Sequence, residues 1–235
     1  MIKTFNYRLT AAALFLVLFF SCRKQDTIEQ TDATVYTASG DILAKLNEFR
    51  EQLGALNTTP GHTTGRREIS WDGVPDSLLN KNLPFDFFNP IGPQASVSQQ
   101  RGLRYDDGNF RVSTDGFSGV NVLAAGEFRS FSGNKAFANV SNDLWPIGFQ
   151  VAGQQAAASV SGFGMVFSDV DLPNSTSLEF FNNDKSLGKY FVPAKQAGSS
   201  FSFLGVYFKS SAVTKVLVRH EGRLTDGDKD ISQGG

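Results

Sequence analysis

From Glu68 to Arg219 the chain breaks into short apolar or alternating runs separated by Gly, Asn, Asp and Pro, and this punctuation constrains the fold more than any other feature. Such runs suit pleated strands, each closed by residues that tolerate tight turns. Candidate strands are Asn109 to Ser113, Glu127 to Ser130, Lys135 to Val140, Trp145 to Val151, Ser159 to Phe167, Ser177 to Asn182, Leu187 to Val192, Phe201 to Phe208 and Val213 to Arg219. Asn182-Asn183-Asp184-Lys185 has hairpin chemistry, because Asn and Asp accept left-handed backbone. Phenylalanine (22) and glycine (23) are both abundant, which favours strands and turns over helix bundles. The expected class is mainly β: an antiparallel β-sandwich, jelly-roll-like, over residues 58–222.

One helix precedes it. Ile42, Leu43, Leu46, Phe49, Leu53 and Leu56 recur at three- and four-residue spacing, with Lys45, Glu48, Arg50 and Glu51 on the other face. The pattern predicts an amphipathic helix over 41–57 that packs on a sheet. Asn57-Thr58-Thr59-Pro60-Gly61 then ends it with turn residues.

The amino terminus reads as an export signal. Lys3 and Arg8 supply positive charge, Leu9 to Phe20 an apolar stretch shorter than the roughly 20 residues that span a bilayer, and Ser21 a small residue before Cys22. Residues 1–21 are therefore expected to be a lipoprotein signal peptide and Cys22 the acylated residue, anchored stably by more than one acyl chain. Residues 22–40 are polar and are expected to form a flexible tether. The implied location is the cell envelope, as an outer-membrane lipoprotein facing the periplasm or the cell surface. Cys22 is the only cysteine, so once acylated it leaves no thiol for a disulfide or thiolate metal site. A formal net charge of −1 disfavours nucleic acid as a partner.

Four segments together resemble a known group. They are Phe49-Arg50-Glu51-Gln52-Leu53-Gly54-Ala55-Leu56-Asn57, Gly65-Arg66-Arg67-Glu68-Ile69-Ser70-Trp71-Asp72-Gly73-Val74-Pro75, Gly162-Phe163-Gly164-Met165-Val166-Phe167-Ser168-Asp169-Val170-Asp171, and Ser202-Phe203-Leu204-Gly205-Val206. The chain resembles, over about residues 42–219, a family of largely uncharacterised bacterial secreted β-sandwich proteins often found with exosortase-type sorting signals; its own signal resembles those of Bacteroidota lipoproteins. The resemblance implies a sandwich preceded by a short helix and carries no activity. Relatives of that kind continue to an acidic Asp-Asp-Phe strand, whereas residues 223–235 form a polar tail ending at Gly235, so the resemblance implies a truncated carboxy terminus and a missing edge strand.

Several residues could bind ligands. Trp71 offers a flat face for a sugar ring, with Arg67 and Asp72 able to hydrogen-bond its hydroxyls; Trp145 and Tyr105 share that potential, and all five are equally compatible with structural roles. Asp169 and Asp171, with Glu179 and Asp184 on the following hairpin, could supply oxygen ligands to a structural calcium or serve as solvated turn carboxylates. Asp226-Gly227-Asp228-Lys229-Asp230 alternates carboxylates, but Ile231 stands where a calcium loop needs glycine. The catalytic inventory is thin: His62 and His220 are the only histidines, and neither a Gly-x-Ser-x-Gly elbow nor a His-Glu-x-x-His motif occurs. Gly162-Phe163-Gly164 lacks the third glycine and helix of a dinucleotide site. The sequence thus points to a lipid-anchored binding module with carbohydrate as first ligand class and calcium as candidate cofactor. A surface adhesion or assembly component that binds protein is the alternative, and a glycan hydrolase or lyase the third reading.

Overall fold

The computed structural model describes residues 32–226. The signal peptide, Cys22, residues 22–31 of the expected tether and residues 227–235 of the tail lie outside them. In chain order the elements are β1 (Ala33–Ser39), α1 (Leu43–Leu53), β2 (Leu103–Tyr105), β3 (Phe110–Ser113), β4 (Ala136–Asn139), β5 (Leu144–Phe149), β6 (Gly162–Ser168), β7 (Ser177–Asn182), β8 (Lys185–Phe191), β9 (Phe201–Phe208) and β10 (Lys215–Arg219). Single 3-10 turns fill part of the long connections, including Trp71–Gly73 and Asp76–Leu78, and another, Leu224–Asp226, follows β10.

All strand pairs are antiparallel. A three-stranded sheet runs β1-β9-β6 and a five-stranded sheet runs β2-β5-β10-β7-β8, with β3 and β4 forming a separate pair. The alternation of β9 explains the layering. Leu204, Val206 and Phe208 point one way into the main core, where they meet Trp145 and Ile147 of β5, Leu178 and Phe180 of β7, and Val216 and Val218 of β10. Rings close the gap between sheets: Phe180 lies 5.4 Å from Phe208, and Phe149 lies 5.9 Å from Phe163. Phe203 points the other way, under α1, with Ile42, Leu46 and Phe49. The molecule is a mainly β antiparallel sandwich with a helix on the outer face of its smaller sheet.

Glycines let that helix seat directly on backbone. Gly164 of β6 is opposite Gly205 of β9, and a Cβ on Gly164 would come within 2.9 Å of the Phe49 ring, one on Gly205 within 3.0 Å. Phe49 fills the space with Tyr36 (5.3 Å) and Phe203 (5.7 Å) beside it. Arg50, the next residue, makes paired hydrogen bonds to Glu68 (2.9 and 3.1 Å). Residues of α1, β6, β9 and the Arg66–Glu68 segment therefore meet around α1.

Four expectations need correction. Residues 33–39 belong to a strand rather than a tether: Asp32 accepts hydrogen bonds from Ser210 and fixes its start, and Ala33–Ser39 then pairs throughout with β9. The helix is shorter than 41–57, because Gly54 takes φ 89° and breaks the ladder, leaving Leu56 half exposed in a bridge to Arg66. Glu127 to Ser130 forms no strand; it is a loop in which Phe128 packs on Phe117. Of the tail, Leu224 is buried against Phe117, Ala124 and Val140, so 223–226 belongs to the fold.

Candidate functional site

The residues expected to hold a carbohydrate are engaged inside the fold. Tyr105 is 1 % and Trp145 4 % exposed; both lie in an aromatic cluster with Phe110 and Phe137. Desolvation, with the nearby Asp86 carboxylate, pushes the Tyr105 hydroxyl upward, so it stays protonated. Trp71 is half-buried, with one face stacked 4.3 Å from the Phe137 ring and an edge against Phe88. Asp72 accepts from the Asn134 backbone N–H (2.9 Å) and ties the two loops together. Arg67 donates to the carbonyls of Thr59 (2.8 Å), His62 (3.0 Å) and Asn57 (3.4 Å). Burial, with Arg101 nearby, lowers the guanidinium pKa of Arg67 from its ordinary value. Its bonds shape loop 54–65, which surrounds a shallow depression of about 440 Å³ lined by Asn57, Thr59, His62 and Thr64. The sequence does not reveal that Trp71, Trp145 and Tyr105 are engaged by neighbouring rings, nor that Asp72 and Arg67 are bonded to backbone of other loops.

The four candidate metal ligands do not converge. Asp169 and Asp171 come together around Lys195, whose Nζ bonds both, the second at 2.6 Å. Desolvation works against the ammonium, but the two carboxylates outweigh it and hold the Lys195 pKa above its usual value. Lys195, which lies 24 residues or more further along the chain and so gave no local signal, thus occupies the place expected for a cation. Glu179 lies on β7 and accepts from Ser186 (2.8 Å), while Asp184 is in the β7–β8 turn. Among the described residues no group of three or more His, Cys, Asp and Glu is arranged to hold a metal. His220 is half-buried, with Nδ1 3.2 Å from the Gly222 carbonyl oxygen, and burial lowers its pKa. His62 lines the loop depression, and its own carbonyl is one of the three that accept from Arg67.

What remains chemically unspent is backbone at the sheet edges. Gly40 N–H donates to Phe201 (3.0 Å) and Lys209 N–H to Asp32 (3.4 Å). These bonds set the phase of β1: even-numbered residues face β9, so the N–H and C=O groups of Ala33, Val35, Thr37 and Ser39 face away from it. Among the described residues no strand pairs with that side. Thr34, Val35 and Thr37 are exposed, and the strand carries no charge, Gly or Pro.

No family model, curated protein or solved structure matches the chain.

The other edges are managed differently. β8 shifts register beside Phe180-Phe181, takes φ 125° at Gly188 and exposes Lys185 and Lys189, all devices that discourage pairing. β2 spans only three residues, because Pro146 of β5 has no N–H to offer where its ladder to β2 would continue past Asp106. β6 has no fully exposed residue, and Arg129 N–H reaches over its end to Ser168 Oγ (2.8 Å). β1 is the long, regular and exposed edge. No helix among the described residues is long and apolar enough to cross a membrane.

Proposed function

We propose that the protein is a lipid-anchored, extracytoplasmic component of the cell envelope that binds protein by strand addition at the edge of β1. The single observation that carries this reading is the uncharged, unbulged, exposed run Ala33–Ser39 with every second backbone amide turned away from β9. An added strand gains main-chain hydrogen bonds along such an edge, and alternate side chains supply specificity. The carbohydrate reading loses support because Trp145 and Tyr105 are buried and Trp71 is stacked on Phe137. Acylation at Cys22 would restrict the domain to a membrane surface, where its partner must also lie.

The test places a photo-crosslinking benzoylphenylalanine at Val35 or at Lys189 in the full-length protein in intact cells. The reading expects a protein adduct from position 35 and none from 189. Equal labelling from both positions, or none from 35, contradicts it. Radiolabelled palmitate should label the wild type and not Cys22→Ala; equal labelling of both removes the anchor.

A further inference from the structure

We infer that the strand added to β1 is β1 of a second copy of this chain, antiparallel and centred on Tyr36. This rests on the reading of β1 as the binding edge and names its occupant. A two-fold contact requires a surface that complements itself, and β1 does. Its outward amides are on odd-numbered residues, so an antiparallel partner must place odd residues opposite odd ones. Among such registers, the one centred on Tyr36 pairs the whole strand from Ala33 to Ser39; centring on Val35 or Thr37 leaves an end unpaired.

The side chains in that register are compatible. Tyr36 meets its own copy on the axis, Val35 lies opposite Thr37 of the other copy, Thr34 opposite Ala38 and Ala33 opposite Ser39, so an aromatic pair is flanked by β-branched and small residues and no charges meet. An analogous self-pairing of β8 would bring Lys185 and Lys189 into its seam, where like charges oppose pairing. β6 offers two glycines, Gly162 and Gly164, and no exposed residue. The helix also fits. α1 touches both β1 and β9, so with strands about 4.8 Å apart the two α1 helices would lie about 10 Å from each other, a spacing at which helices pack. Two three-stranded sheets would then become one continuous sheet with helices on one face.

The test uses two differently tagged full-length proteins, Val35→Cys and Thr37→Cys, co-expressed and mildly oxidised in their membranes, with wild type carrying only Cys22 as background. Opposed positions meet disulfide geometry and same-position pairs are displaced along the strand, so mixed-tag dimer should exceed either same-variant dimer by at least about tenfold. In detergent, Val35→Pro, which removes an amide facing away from β9, should halve the protein mass per particle while keeping the melting temperature. Val35→Lys is the second variant and should do the same. Same-variant disulfides as abundant as mixed ones overturn the register. A monomeric wild type without disulfide overturns self-pairing: if position 35 still forms an adduct with another protein, the binding edge stands and only its occupant is wrong, and without that adduct both readings fall.

Discussion

β1 and β8 are both seven-residue antiparallel edge strands of the same sandwich, and they are built in opposite ways. β8 carries a register shift, a positive-φ glycine and two exposed lysines, with Lys189 lying 5.1 Å over the Phe191 ring. β1 has none of these. Their outer faces differ as well: on the five-stranded sheet the Lys215 ammonium lies 4.6 Å over the Phe181 ring, whereas the three-stranded sheet is covered by α1 through Phe49. Edge protection is therefore set strand by strand, and β1, supported by α1 and carrying none of these devices, is the edge suited to receive a strand.

The contrast is broken most severely by removing the support under β1. Phe49→Ala empties the space above Gly164 and Gly205 and should cost about 3–5 kcal/mol, read by denaturant unfolding, with amide exchange rising in β1 before β8. Lys195→Met leaves two carboxylates facing each other without their cation. A fully buried broken pair costs about 3–5 kcal/mol, and since Lys195 is 27 % exposed we expect about 2 kcal/mol at neutral pH. The sign follows from its raised pKa: the contribution is present below the ordinary lysine value of 10.5 and fades as pH rises through the higher folded value. The mutant should lose that alkaline dependence, which a melting-temperature series from pH 8 to about 12 would reveal.

Glu68→Gln should have a smaller effect, about 1 kcal/mol, because Glu68 is partly solvated. Burial raises its pKa, but hydrogen bonds from Arg66 and Arg50 outweigh that and lower it on balance. Its contribution is thus present above the ordinary glutamate value of 4.5 and lost as pH falls through the folded value, so acid unfolding of the mutant should begin from a lower plateau and depend less on pH. Removing the protection of β8 sharpens the comparison with the least change in stability. Lys185→Thr with Lys189→Thr should alter unfolding by about 0.5 kcal/mol while raising concentration-dependent association, measured by light scattering.

Much of the sandwich was legible in the sequence. The spans Ser177–Asn182 and Phe201–Phe208 were read to the residue, because both are dense in large apolar side chains and bounded by turn or small polar residues. The helix was legible in type but overextended, since Leu56 continues its periodicity although Gly54 has already turned the chain. β1 was missed because Thr and Ser dilute Ala33–Ser39; the signal was the alternation around Val35 and Tyr36, whose ladder partners lie in β9. The site was less legible than the fold. Trp71 and Trp145 have the same chemistry exposed or buried, and only contact with Phe137 and Phe110 distinguishes those fates. Lys195 likewise reaches Asp169 and Asp171 through tertiary folding.

Amide hydrogen exchange along β1 in the intact protein tests the central claim most directly. In protein diluted until its mass is monomeric, Tyr36 and Ala38 amides should be protected by β9 while Val35 and Thr37 exchange freely, and Val35 and Thr37 should become protected when a strand is added. Strong protection of Val35 and Thr37 in the monomer would mean that the edge is already covered and would contradict the account.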